Sequence, residues 1–594
     1  MSLKRSLSCR TSTVGLLCAL GWVTSAVAGG GCLEIRQSYF WDPVKQEYFV
    51  PRGIAYQLWN PPVRANQSFE QLHYDLVEFK KMYANSVRCE LVWGEIQTDP
   101  GDQGYDWRKP DYLVGEAERL GLNLFILIGF QYPPAWFPKE WRGINSSGLT
   151  PEIMRCLATN TPSSALGCLS LGAQDCLLTN LPQEALSKVL SYLVAGAQAG
   201  AVSNVLSCLE TNVPSDLLPK VLRCLISDVI NYEHPQAREA YAKHIAAVTG
   251  RYKNRRAIGG WILGNEYAYF DLWEDPLVYL THRFIGFDAY SQASYRQYLG
   301  SIYGGNIAAL NARWGTTFAN FDAVVMAPQY PDDRVNPGYH DLIQWRKKSI
   351  GDFISLGAVA ARDADPNHLK TYSMVGGIFN GRDANHGGED APTIVARCAA
   401  AGAPLDFWSI NNYANAAVGS ELRSADFGIG KYQEESGLPV MISETGHSST
   451  EDLFDYPDAG KRQAKATPGQ LWESLVSGAI GTHVFHWNDR GQFVRGYFLR
   501  ERGFGIVEQT RKIKEPVFSN VLEMFRRMQN LPFDKLLAGS TTLKVRVLAP
   551  TEETHPLSSL FSPVQFKCRM KGERQQSLGR VGIPGWGRTQ APLR

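Results

Sequence analysis

The chain has 594 residues, with 60 Lys and Arg against 58 Asp and Glu, and 44% of its residues are hydrophobic. That composition excludes a disordered or fibrous protein, because a chain of this length and apolar content can bury a large core. A formal charge of +2 supplies no field for gripping a polyanion, so nucleic acid is not an expected partner.

At the amino terminus, Lys4, Arg5 and Arg10 precede a mostly apolar run from Val14 to Val23, and Ala26-Val27-Ala28 follows as a small-residue cleavage pattern. This predicts a secretory signal peptide over residues 1–28, too short to span a bilayer, and a secreted or periplasmic mature protein with no membrane span. Loss of Cys9 and Cys18 with that segment leaves an odd number of cysteines, several of them between Cys156 and Cys224. None shows the C-x2-C spacing of a zinc site, so disulfides or apolar packing are expected and no metal or cofactor is.

From residue 48 onward, short β-branched runs alternate with helix-period segments. Tyr48–Tyr56 reads as a first strand, and Phe69, Leu72, Leu76 and Phe79 mark one face of a helix over 69–83. A strand at 86–92, a helix at 111–120 and a buried strand at 122–128 follow. Pro235 opens a helix with Tyr241, Ile245, Val248 and Tyr252 on one face, which feeds a fourth strand at 258–263. Further strands are expected at 370–376, 405–411, 438–443 and 482–487. Eight strands separated by helical material predict a (β/α)8 TIM barrel, built from residues 29–148 and 228–535. A doubly wound sheet is the competing architecture, but no G-x-G-x-x-G turn follows the first strand.

Between strands three and four, residues 149–227 form an insertion with an internal repeat. Cys156-Leu157-Ala158-Thr159-Asn160-Thr161-Pro162 recurs around Cys176 and again around Cys208. Thr-Asn-x-Pro is a helix-start signature, so short repeated helices are expected. A lid over the barrel, a partner-binding module and an expansion without function all fit the repeat. Residues 536–594 form a C-terminal extension, with a candidate strand at Leu543–Leu548 and a Gly- and Arg-rich end read as unstructured.

A TIM barrel carries its functional groups just after its strands. Glu266 ends Trp261-Ile262-Leu263-Gly264-Asn265-Glu266 after strand four, and Glu444 ends Val440-Met441-Ile442-Ser443-Glu444 after strand seven. Either one alone reads as a helix cap or a salt bridge. Two at facing strand ends fit the pair that performs retaining glycoside hydrolysis, with carboxyls roughly 5 Å apart.

With those motifs, the chain resembles the clan A glycoside hydrolases, and within them the family 42 β-galactosidases and their relatives. Ser86 to Trp93, Gly104-Tyr105-Asp106-Trp107, Pro133-Pro134-Ala135-Trp136 and Trp261 to Tyr267 carry the likeness, over residues 48–148 and 228–490. The resemblance implies Glu266 as acid/base and Glu444 as nucleophile. It further implies Arg88 beside the nucleophile, Asn265 on the sugar 2-hydroxyl, Tyr413 against Glu444 and Trp487 as a platform under the sugar. The expected ligand is then a carbohydrate, a β-galactoside or related oligosaccharide. A β-mannanase- or β-glucanase-type enzyme of the same clan, or a non-catalytic carbohydrate-binding barrel, is the alternative. Trp59, Tyr132, Trp136 and Tyr267 are further candidate stacking surfaces, and His447 a candidate pocket residue.

Overall fold

The computed structural model describes residues 31–58, 68–129, 133–144, 226–271, 283–324, 336–376, 387–413, 423–450, 459–490, 502–537, 543–547 and 564–568, with scattered positions between 208 and 221 and at 326. The expected signal peptide, nearly all of the repeat insertion and the Gly- and Arg-rich C-terminal end lie outside the described residues.

Eight parallel strands close into one barrel in sequence order: β1 Arg52–Gln57, β2 Ser86–Glu90, β3 Asn123–Leu127, β4 Ile258–Asn265, β5 Lys370–Val375, β6 Trp408–Asn411, β7 Val440–Thr445 and β8 Thr482–Val484. After these come α1 Phe69–Lys81, α2 Arg108–Leu120, α3 Pro235–Tyr252, α4 Pro337–Ala364, α5 Ala391–Ala400, α6 Arg423–Ser436, α7 Ala459–Val476 and α8 Val517–Gln529. The helix starts follow local chemistry. The Ser68 hydroxyl accepts from the Gln71 N–H, the Asn336 side chain from Tyr339 N–H and the Asp390 side chain from Thr393 N–H, and Pro stands in the first turn of α3, α4 and α5. Among the described residues no helix is long and apolar enough to cross a membrane.

The first strand differs from its sequence expectation. Residues Glu47–Phe49 belong to a separate antiparallel sheet with Glu34–Arg36 and Tyr39–Asp42, and the barrel strand begins only after Pro51. Proline has no N–H for a ladder, so it separates the two elements. The small sheet closes the N-terminal end of the barrel. Phe40 is fully buried there, with its ring 5.4 Å from Phe125 and 5.1 Å from Phe407, in one cluster with Leu127, Ile262, Met441 and Ile480. Gly53 is required at this level, since a Cβ on it would lie 2.2 Å from Cδ2 of the buried His483 ring. Phe69 is a second departure: it is 41% exposed and packs on Tyr112 instead of the core.

The chain leaves β3 through Arg142–Ile144 and returns through Ile226–Ile230, and these two segments pair antiparallel, Arg142 opposite Ile230 and Ile144 opposite Ile226. The ends of the insertion therefore meet. Beyond α8, Leu543–Val547 pairs antiparallel with Val564–Cys568, so the candidate strand in the extension has a partner.

Two outcomes follow from this packing. Phe40→Ala removes a fully buried ring and should cost about 3–5 kcal/mol in a urea titration. Replacing residues 146–225 with a short Gly-rich turn should preserve a single cooperative melt by circular dichroism, because the paired flanks already bring the chain back to α3.

Candidate active site

Alternation along β2 turns Arg88 and Glu90 to the same, inner side of the barrel. Both are buried. The guanidinium gives Nη1 to Glu90 Oε1 at 2.6 Å and Nη2 to Glu444 Oε1 at 2.6 Å and to Asn265 Oδ1 at 2.8 Å. Gln57, on the neighbouring β1, donates from Nε2 to the other Glu90 oxygen at 2.7 Å. The second oxygen of Glu444 accepts from the Tyr413 hydroxyl at 2.5 Å, so both of its oxygens are held.

Asn411, at the end of β6, ties the other half together. Its Nδ2 donates to Glu266 Oε1 at 2.7 Å and to Asn265 Oδ1 at 3.0 Å, while its Oδ1 accepts from the hydroxyls of Ser373 and Ser443, each at 2.8 Å. Glu266 and Glu444 are thus joined through Asn411, Asn265 and Arg88. The strands place these groups with irregular register. Between β6 and β7, Ile410 faces Ile442 but Asn411 faces Glu444, one residue out of step. The bulge lets consecutive residues, Ser443 and Glu444, both reach the interior network, which a regular strand forbids. A second shift lies between β4 and β5, where Asn265 faces Ser373.

Burial raises the Glu444 carboxyl above its ordinary value, and the Glu90 charge adds to this; Arg88, the Tyr413 hydrogen bond and Arg490 oppose it. Arg88 itself is held charged, since the two carboxylates outweigh its own burial.

The structure therefore brings Arg88, Asn265, Glu266, Tyr413 and Glu444 together at the C-terminal mouth. It does not bring Trp487 there. The Trp487 ring is 1% exposed and lies 4.9 Å from Phe79 of α1 and 6.4 Å from Phe518 of α8, filling the apolar slot where these helices converge behind β8. The rings beside Tyr413 are instead Phe504, at 5.5 Å, and Phe485, at 5.9 Å. Tyr267 is fully buried against Tyr232 and Phe353, and the Trp136 indole donates to the Gln97 carbonyl beside Trp93 and Phe137. His447 is half-buried, with Nδ1 at 2.8 Å from the Ser448 carbonyl. Trp59 and Tyr132 lie outside the described residues. Glu90, Gln57 and Asn411 were not singled out by sequence, although the Arg88-x-Glu90 spacing on a strand would have pointed to Glu90. Among the described residues no cluster of His, Cys, Asp and Glu could hold a metal ion, while Cys208 is disulfide-bonded and Cys32, Cys89 and Cys398 are free thiols.

The family model described as beta-galactosidase, that of glycoside hydrolase family 42, matches residues 226–531. The chain belongs to glycoside hydrolase family 42. The match begins on the strand by which the chain returns from the insertion and ends just past α8. No curated protein matches the chain. Among solved structures, the family 42 barrel is similar to the β-galactosidase of Bacillus circulans sp. alkalophilus, at 14% identity and a TM-score of 0.52, over 81% of this chain and 56% of that one. It is also similar to the β-galactosidase of the psychrophilic Marinomonas ef1, at 15% identity and a TM-score of 0.50, over 80% of this chain and 59% of that one. At such identities the likeness shows a shared fold, and the chain spans less than two thirds of the length of either protein.

The buried ion pairs give a test of their own. Arg88→Met leaves Glu90 and Glu444 without their cation and should cost about 3–5 kcal/mol at neutral pH. Glu444, already raised by burial, would then titrate still further above its unfolded value, so the folded state binds more protons than the unfolded one at intermediate pH. The loss should shrink as pH falls through the ordinary carboxyl range, because the folded state then gains stability on protonation that the unfolded one does not match. Urea titrations at pH 4 and pH 7 read the difference.

Proposed function

We propose that the protein is a retaining β-glycosidase acting on β-galactosides. The observation that carries this reading is the hydrogen-bonded chain from Glu266 through Asn411, Asn265 and Arg88 to Glu444 at the mouth of a family 42 barrel. Two carboxyls at facing strand ends, one pinned by a guanidinium and a phenol and the other by an amide, suit two different tasks.

Glu444 is the nucleophile. Arg88 and Tyr413 hold its two oxygens in one orientation and favour the ionised form that attacks the anomeric carbon. As the new C–O bond forms, the glycosidic bond breaks and Glu266 gives its proton to the leaving oxygen. The covalent glycosyl-enzyme is then hydrolysed. Glu266 takes a proton from water, the water oxygen bonds the anomeric carbon, and Glu444 leaves as carboxylate. Asn265, anchored by Arg88 and Asn411, is placed to meet the sugar 2-hydroxyl, where hydrogen bonds strengthen in the transition state. Tyr413 and the Phe485 and Phe504 rings supply the apolar wall beside the nucleophile in place of Trp487. Export rests on the basic start, apolar run and Ala26-Val27-Ala28 of the sequence, and a mature N-terminus just after Ala28 is its test.

A panel of chromogenic aryl β-glycosides should show turnover of the galactoside. Glu444→Gln should abolish it, while Glu266→Gln should lose roughly 10²- to 10⁴-fold on alkyl galactosides but retain the first step for an activated aryl leaving group. Activity confined to β-linked polymers would point to the mannanase- or glucanase-type reading, and sugar binding without turnover to a carbohydrate-binding barrel. Because burial already lifts Glu444, the acidic limb of the pH–rate profile should lie above the ordinary carboxyl value, and Arg88→Lys should move it less than Arg88→Met.

A further inference from the structure

Glu266 has a backbone φ of 51°. A residue with a Cβ adopts this left-handed conformation only where its surroundings hold it. Here the holding contacts are specific. The Glu266 N–H donates to the Ser373 carbonyl at 2.9 Å, and the Tyr269 N–H to the Gly387 carbonyl at 2.8 Å. Between them, the Tyr267 N–H donates to a side chain, the hydroxyl of Tyr372, at 2.7 Å. That hydroxyl donates onward to Glu389 Oε1 at 2.5 Å, and Glu389 Oε2 accepts from the Val375 N–H at 3.1 Å.

Glu389 is only 3% exposed and Tyr372 is fully buried, and among the described residues Glu389 makes no ion pair. Burial, with the Glu266 charge nearby, pushes its carboxyl well above the ordinary range. A buried carboxyl with no counter-charge is costly for stability alone, and such groups concentrate at functional sites. Gly264 completes the arrangement. A Cβ there would lie 2.7 Å from the Tyr267 ring and 3.0 Å from the Tyr372 ring, so the strand is stripped of a side chain where the two rings pass.

We propose that Tyr372 and Glu389 are positioning residues for Glu266, and that the relay from the Tyr267 amide through the Tyr372 hydroxyl to the Glu389 carboxyl sets the turn that aims the acid/base carboxyl at the leaving-group oxygen. The aim at a leaving group rests on the acid/base reading above; the relay itself does not. Asn411 fixes the Glu266 side chain, and the relay fixes the backbone from which that side chain springs.

Two readouts test it on the full chain. In Tyr372→Phe the ring stays and only the hydroxyl goes, so hydrogen–deuterium exchange should quicken roughly tenfold or more in the segment 264–270 and stay unchanged elsewhere, as expected for local loosening. On an alkyl β-galactoside kcat should fall by roughly tenfold to a hundredfold, a share of what positioned proton transfer is worth, with KM little changed. On an activated aryl galactoside, whose first step needs no proton, kcat/KM should fall by less than about twofold, while kcat carries the loss of base assistance in the second step. Glu389→Gln should show the same pattern at smaller size. Unchanged exchange in the segment overturns the relay. Quickened exchange with equal losses of kcat/KM on both galactosides overturns the role in aiming the acid. A wild-type protein inactive on every β-galactoside would sink the functional reading, while the exchange comparison would still decide the relay.

Discussion

One guanidinium organises the mouth of this barrel. Arg88 lies buried between Glu90 and Glu444, and its charge is what allows two carboxyls to stand side by side with so little of their surface exposed. A buried pair of this kind stabilises little by itself, because taking charges out of water offsets much of the attraction. Its value lies in direction. The planar fork fixes Glu90, Glu444 and Asn265 at once, which an ammonium could not do. Their remaining lone pairs are met by neutral donors, the Gln57 amide on Glu90, the Tyr413 hydroxyl on Glu444 and the Asn411 amide on Asn265, while the Ser373 and Ser443 hydroxyls hold Asn411. Few rotamers are then free, and the site is preorganised before any ligand arrives.

Beneath that polar layer the barrel is closed by hydrocarbon. Phe40, Phe125, Phe407, Ile262 and Met441 fill the N-terminal half, with His483 wedged against Gly53. The polar groups therefore have solvent on one side only. This division explains the direction of the Glu444 shift: the floor cannot solvate charge, and only the neighbouring cation and hydrogen bonds resist protonation.

Much of this was legible in the sequence, for reasons that can be named. The eight strands stood out because each is an apolar run bounded by helix-period segments, and Glu266 and Glu444 stood out because they follow such runs, whereas Arg88, Asn265 and Tyr413 came only with the family resemblance. What could not be read was register. The shift opposite Asn411 brings Glu444 and Ser443 to one side, and no pattern of residue types announces a bulge. Asn411 looked like one of two asparagines at a strand end, and only the fold makes it the link between the carboxyls. Trp487 was misplaced for a related reason. Its strand stops at Val484, so alternation no longer says where an indole three residues on will point, and the gap between α1 and α8 captured it.

The antiparallel pair at residues 142–144 and 226–230 bears on how freely this chain can vary in length. With both ends pinned to each other, a change in the number of residues between them costs a loop-closure entropy. That quantity grows with the logarithm of length, and a doubling adds only about 0.6 kcal/mol. On that count alone, the length of the segment between the two strands can vary at little thermodynamic penalty to the barrel.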